Sequence, residues 1–87
     1  MNIEDCRKEI DGIDREIVDA FIRRMEVSLE IAEIKKNEGL PIYNESREKE
    51  VIARIKSMAQ GNFESYAEEL YEKIMEISKR IQEEKNK

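Results

Sequence analysis

Arg24 lies on a helix seam that is otherwise apolar. Stepping three and four residues alternately from Ile3 gives Ile3, Cys6, Ile10, Ile13, Ile17, Ala20, Arg24, Val27, Ile31 and Ile34, nine of ten apolar. That is heptad spacing. A permanent charge on such a seam is expensive unless something pairs with it, so Arg24 is the first candidate for chemistry. Arg7, Lys35, Arg47, Glu48, Ser78 and Gln82 also lie on or beside apolar stripes. Arg24 and Lys35 are three helical turns apart and point the same way, about 16 Å apart by helix rise. Arg47 and Glu48 follow a short loop beyond Lys35, and Ser78 and Gln82 share a helix face one turn apart. One pocket can collect Arg24, Lys35, Arg47, Glu48, Ser78 and Gln82. Arg7 precedes Arg24 by roughly 25 Å of straight helix; unless that helix bends sharply, Arg7 reaches the pocket from an antiparallel partner chain.

Guanidinium and ammonium groups clustered in this way suit a small dianion, because arginine forks match carboxylates bidentately. Glu48 can accept from a hydroxyl. Lys35 and Gln82 can donate to an oxygen that gains negative charge. There is no evident nucleophile–base pair and no metal cluster. The fitting chemistry is electrostatic: a dicarboxylate is held in a reactive shape while charge is stabilised as a bond breaks. Taken singly, Arg7, Lys35 and Arg47 also fit an ordinary reading, with stems snorkelling along the stripe and heads in water. Glu48 could equally pair with a neighbouring cation. Arg24 and the combination favour a site.

These residues need long helices to position them. Charged residues are 43% of the chain, with one Pro and three Gly, a composition for helices rather than sheets. The first helix is expected over 3–36, with Asn2 as N-cap, Lys35 and Lys36 at its negative end and Gly39 as its stop. At roughly 50 Å it outreaches a compact domain of this length, roughly 30 Å across. A connection over 37–43 contains Pro41. The second helix is expected over 44–59 with a stripe of Val51, Ile52, Ile55, Met58 and Ala59. The third, over 63–84, carries Phe63, Ala67, Leu70, Ile74, Ile77 and Ile81, with Ser65 and Glu68 as a capping box and frayed residues 83–87. The expected fold class is all-α: three helices per chain, one very long, paired with a two-fold mate in a dimeric six-helix bundle.

The net charge of −5 and pI near 4.9 argue against general nucleic-acid or membrane-surface binding. The absence of histidine removes the usual zinc sites and imidazole acid–base catalysis. Cys6, the only cysteine, reads as seam packing rather than a reactive thiol. With no apolar run long enough for a membrane span and no signal-peptide pattern, the expected location is the cytoplasm.

In order and spacing, the chain resembles the all-helical chorismate mutases of shikimate metabolism across essentially its whole length. The resemblance rests on Arg7 in DCRKEIDGID, Arg24 and Lys35 in AFIRRMEVSLEIAEIKK, Arg47 and Glu48 in SREKEVI, and Ser78 and Gln82 in ISKRIQ. It implies one mutase domain over 1–87, either stand-alone or excised from a fusion. It also implies an intertwined homodimer with two shared active sites, and conversion of chorismate to prephenate for aromatic amino-acid biosynthesis, without cofactor or covalent intermediate. By resemblance, Arg24 and, from the other chain, the partner's Arg7 grip the carboxylates with Ser78 assisting. Lys35 and Gln82 address the ether oxygen, Glu48 meets the ring hydroxyl, and Arg47 helps fix Glu48 or a carboxylate. Asn44 is a departure, since relatives often carry aspartate there near the hydroxyl. Two alternatives stand beside this reading: an isochorismate pyruvate-lyase on the same scaffold, which Glu48 argues against, and a non-catalytic dimerisation module.

Overall fold

Both ends of the first helix are closed by side chains and turns that the local sequence supplies. The computed structural model describes residues 2–87, and α1 runs Ile3–Glu38. The Asn2 Oδ1 accepts the Asp5 amide at 2.8 Å. Glu4 and Asp5 sit at the positive end and Lys35 and Lys36 at the negative end, each matching the helix dipole. Gly39 takes φ 70°, which suits a residue without a Cβ. The Leu40 amide reaches the Lys35 carbonyl at 2.8 Å and the Gly39 amide that of Lys36, a Schellman closure. The helix therefore ends two residues beyond the sequence expectation.

After this turn α2 spans Glu45–Ala59, a short 3-10 turn spans Gly61–Phe63, and α3 spans Glu64–Lys85. Asn44 caps α2 by accepting the Arg47 amide at 3.0 Å. Two expectations for α3 fail. The capping box does not form, because α3 continues from the 3-10 turn without a side-chain cap. Ser65 is thus inside the first turn, and Glu68 pairs instead with Lys56 of α2 at 3.3 Å. Nor does the C-terminal end come loose at residue 83: α3 continues to Lys85, and the Asn86 Nδ2 donates to the Ala32 carbonyl at 3.0 Å. That bond ties the end of α3 to the C-terminal half of α1.

The core of the chain is thin. Val51, Ile55 and Met75 form its centre, with Ile52, Ala67 and Tyr71 against them, and α1 adds Met25 and Ala32. The buried face of α3 is Met75, Ser78 and Gln82 rather than the expected stripe. Leu70 and Phe63 are exposed, and Ile74, Ile77 and Ile81 are only half-buried. Met58 on α2 is likewise exposed. The reason is that α3 has two apolar sides, and within one chain only the side turned to α1 and α2 finds a partner.

Half of α1 has no partner at all. Every residue over 2–20 is exposed, including Cys6 and the seam isoleucines, with Ile3 at 66% and Ile17 at 58%. The chain measures 54 × 25 × 14 Å with a radius of gyration of 16.0 Å, above the roughly 12 Å of a compact chain this long. The long axis is the length of α1 itself.

Candidate active site

Where the C-terminal half of α1 crosses α2 and α3, the helices leave a cleft of about 400 Å³. Seven of the eight residues singled out in the sequence line it: Arg24, Lys35, Asn44, Arg47, Glu48, Ser78 and Gln82. The eighth, Arg7, lies on the free half of α1, exposed and about 25 Å of helix rise away from Arg24. Helix periodicity accounts for the convergence. Arg24, Ser28 and Lys35 fall on one face of α1, Glu48 one turn before the buried Val51 on α2, and Ser78 and Gln82 beside the buried Met75 on α3.

The cleft is cationic in an acidic protein. Arg24, Lys35, Arg47, Arg54 and Lys79 face one carboxylate, Glu48, a formal charge of +4 in a chain of −5. Apolar walls of Ile42, Val51 and Met75, of which Val51 and Met75 are buried, strengthen that field.

Each polar group has a defined setting. The Arg24 guanidinium lies over the Tyr71 ring, 5.8 Å from its centroid, a cation–π contact that leaves its N–H fork available to an anion. Lys35 Nζ donates to the Ile42 carbonyl at 2.7 Å, which pins the α1–α2 connection and uses one of three N–H groups. Glu48 accepts from Lys79 Nζ, 3.0 Å from its Oε2. Arg47 does not fix Glu48: its Nη1 is 2.6 Å from Glu50, on the exposed side of α2. That pair is worth little in water and can be exchanged for another anion. The side-chain oxygen of Asn44 is spent on capping α2, a task an aspartate performs equally well, so the departure from aspartate leaves the local fold intact.

Ser28, Arg54 and Lys79 are cleft residues that sequence reasoning missed. Ser28 is 5% exposed and sits one turn after Arg24 and two before Lys35, a spacing that was a usable signal. Its hydroxyl donates to the Arg24 carbonyl at 3.0 Å and accepts from Ser78 at 2.8 Å. Ser78 in turn accepts from Gln82 Nε2 at 3.1 Å. Arg54 had a signal as well, one heptad beyond Arg47. Lys79 had none, since its partners Glu48 and Tyr43 lie on other elements.

The arrangement can bind a small dianion and hold hydrogen-bond donors against an oxygen. Comparison with known proteins agrees in kind. The family described as chorismate mutase type II matches residues 6–83. The chain is similar to a chorismate mutase of Methanocaldococcus jannaschii, 29% identical over 82 residues, covering 92% of this chain and 83% of that protein. It is also similar to the T-protein of Haemophilus influenzae, 41% identical over 46 residues, 53% of this chain and 12% of that protein. A third relative is a bifunctional chorismate mutase/prephenate dehydratase of Aquifex aeolicus, 40% identical over 53 residues, 61% of this chain and 15% of that protein. The matched stretch is thus a small part of these last two relatives. No solved structure matches the chain significantly.

Proposed function

The chain belongs to the chorismate mutase type II family, and we propose that it rearranges chorismate to prephenate in a cleft completed by a second copy of itself. The observation that carries this reading is the meeting of Arg24, Lys35, Glu48, Ser78 and Gln82 around one cationic cleft. Chorismate is a dicarboxylate with an enolpyruvyl ether and a ring hydroxyl. In its rearrangement the ether C–O bond breaks as a C–C bond forms, within one molecule and with no proton, electron or leaving group exchanged. The protein needs only to hold the substrate folded and stabilise charge gathering on the ether oxygen.

Arg24 holds one carboxylate by its fork, its plane set by Tyr71. Lys35, with two N–H groups still free, and Gln82 donate to the ether oxygen, and the bonds tighten as negative charge develops. Glu48 accepts the ring hydroxyl. Ser78 lines the cleft with its own proton given to Ser28, and Arg47 can exchange the exposed Glu50 for a substrate carboxylate.

The second carboxylate calls for the partner's Arg7. Support for a partner comes from the free half of α1, whose apolar seam is exposed over 2–20. Two such helices, antiparallel about a two-fold axis, would cover each other's seams in a six-helix bundle. They would bring each Arg7 toward the other chain's cleft, and would also cover Leu70, Phe63 and Met58. No helix among the described residues is long and apolar enough to cross a membrane, so the apolar seam is not read as a span.

The test is direct. With chorismate added, its ultraviolet absorbance should decay and prephenate should be the product. No decay with correctly folded protein overturns the proposal, and pyruvate release from isochorismate would move the activity to a lyase.

A further inference from the structure

Four polar groups form one chain across the α1–α3 contact: Gln82 Nε2 to Ser78 Oγ at 3.1 Å, Ser78 Oγ to Ser28 Oγ at 2.8 Å, and Ser28 Oγ to the Arg24 carbonyl at 3.0 Å. Its direction follows from the proton inventory. Two oxygens 3.0 Å apart need a proton between them, and the carbonyl has none, so the Ser28 proton is committed there. The gap between the serines is then filled by the Ser78 proton. Ser78 Oγ can only accept at its remaining contact, and of the two ends of the Gln82 amide only the nitrogen can donate. Ser28, Ser78 and Gln82 are all buried, at 5–7% exposed.

Gln82 Oε1 is buried with no hydrogen-bond partner. A turned-over amide could take a proton from Ser78 onto that oxygen, trading an unpaired oxygen for an unpaired NH2 group. The commitment of the Ser78 proton to Ser28 denies it that bond. We propose that Ser28 is a positioning residue: acting through Ser78, it holds the Gln82 amide with its nitrogen toward the cleft-lining Ser78 and its oxygen turned away. Nε2 then keeps one N–H beyond the bond to Ser78. This rests on the reading of Gln82 as donor to the ether oxygen, and it explains how a neutral amide that could present either end presents a donor.

The orientation can be tested without activity. The chain has seven side-chain amides, two on glutamines and five on asparagines, few enough to assign one by one in a proton–nitrogen NMR spectrum. In ligand-free wild type, one Gln82 Nε2 proton should exchange with water about tenfold more slowly than those of Gln60. Ser28→Ala should abolish that protection. Ser28→Cys, similar in size but with a poor acceptor, gives the same readout if the alanine variant does not fold. Unchanged Gln82 protons in a folded variant overturn the proposal.

Kinetics supply the second arm. Ser28→Ala should lower kcat about tenfold with KM nearly unchanged, and should add nothing once Gln82 is already Gln82→Ala. Additive losses, or a rise in KM alone, would reduce Ser28 to a packing residue. If wild type does not convert chorismate, the proposed activity falls while the NMR arm still decides the orientation.

Discussion

Glu48 and Lys79, 31 residues apart in sequence, meet at the edge of the cleft with Lys79 Nζ 3.0 Å from Glu48 Oε2. The same ammonium stands 4.8 Å from the Tyr43 ring centroid. Lys79 therefore links the α1–α2 connection to the carboxylate proposed to accept the substrate hydroxyl. The pair is about one-third exposed, so solvent screens it and its effect is modest.

Lys79→Ala is expected to lower kcat/KM about two- to fivefold, what roughly 1 kcal/mol or less in the transition state allows. In a Glu48→Gln background the same change should do almost nothing further. Steady-state kinetics on the four proteins check this; full additivity would separate Lys79 from Glu48.

Gln82→Glu places an acid where a neutral donor is proposed, at a position only 7% exposed. Burial disfavours the charged carboxylate, so its pKa is expected above that of a free glutamate. Only the protonated form can donate to the ether oxygen. Activity of the variant should therefore rise as pH falls, and vanish as pH climbs through the raised pKa. A kcat/KM–pH profile reads this, and a flat profile near the wild-type rate would remove Gln82 from the mechanism.

Lys35→Ala should depress kcat and kcat/KM together by roughly 10²-fold, because the charge it meets exists mainly in the transition state. Loss of its 2.7 Å bond to the Ile42 carbonyl should also loosen the connection, visible as faster amide exchange around residues 40–43. A variant with a raised KM alone would make Lys35 a ground-state carboxylate binder.

What the sequence made legible follows the range of the interactions. The cap at Asn2 and the stop at Gly39 act within a few residues, and both appear where local chemistry puts them; Asn44, expected as the first residue of the second helix, is its cap instead. The convergence of Arg24, Lys35, Glu48, Ser78 and Gln82 was readable because helix periodicity carries a face over many turns. The Ser28–Ser78 bond joins residues 50 apart, and the Glu48–Lys79 pair depends on how α2 is rotated against α3. Neither rotation nor offset is encoded in a local pattern. The buried face of α3 was misjudged for a related reason: a helix with two apolar sides does not announce which neighbour takes which side.

The exposed seam gives a prediction about assembly. Ile13→Glu puts a charge on the free half of α1, where Ile13 is half exposed in the single chain. In a two-fold pairing of seams both copies would bury that charge, at roughly several kcal/mol each. Sedimentation velocity should show a dimer for wild type and a monomer for the variant, with activity lost in step. A variant that remains a fully active dimer would place the contact elsewhere.

The central claim is that one active site draws on two chains, Arg24 from one and Arg7 from the other, and subunit mixing tests it most directly. Arg7→Ala and Arg24→Ala homodimers should each be nearly inactive, since every site lacks one arginine. Unfolded together in equal amounts and refolded, about half the dimers should be mixed, each holding one doubly damaged site and one intact site. The account predicts the return of about a quarter of wild-type activity. Mixed dimers that form, confirmed by an affinity tag carried on one variant only, yet stay inactive while wild type refolds fully, would contradict it.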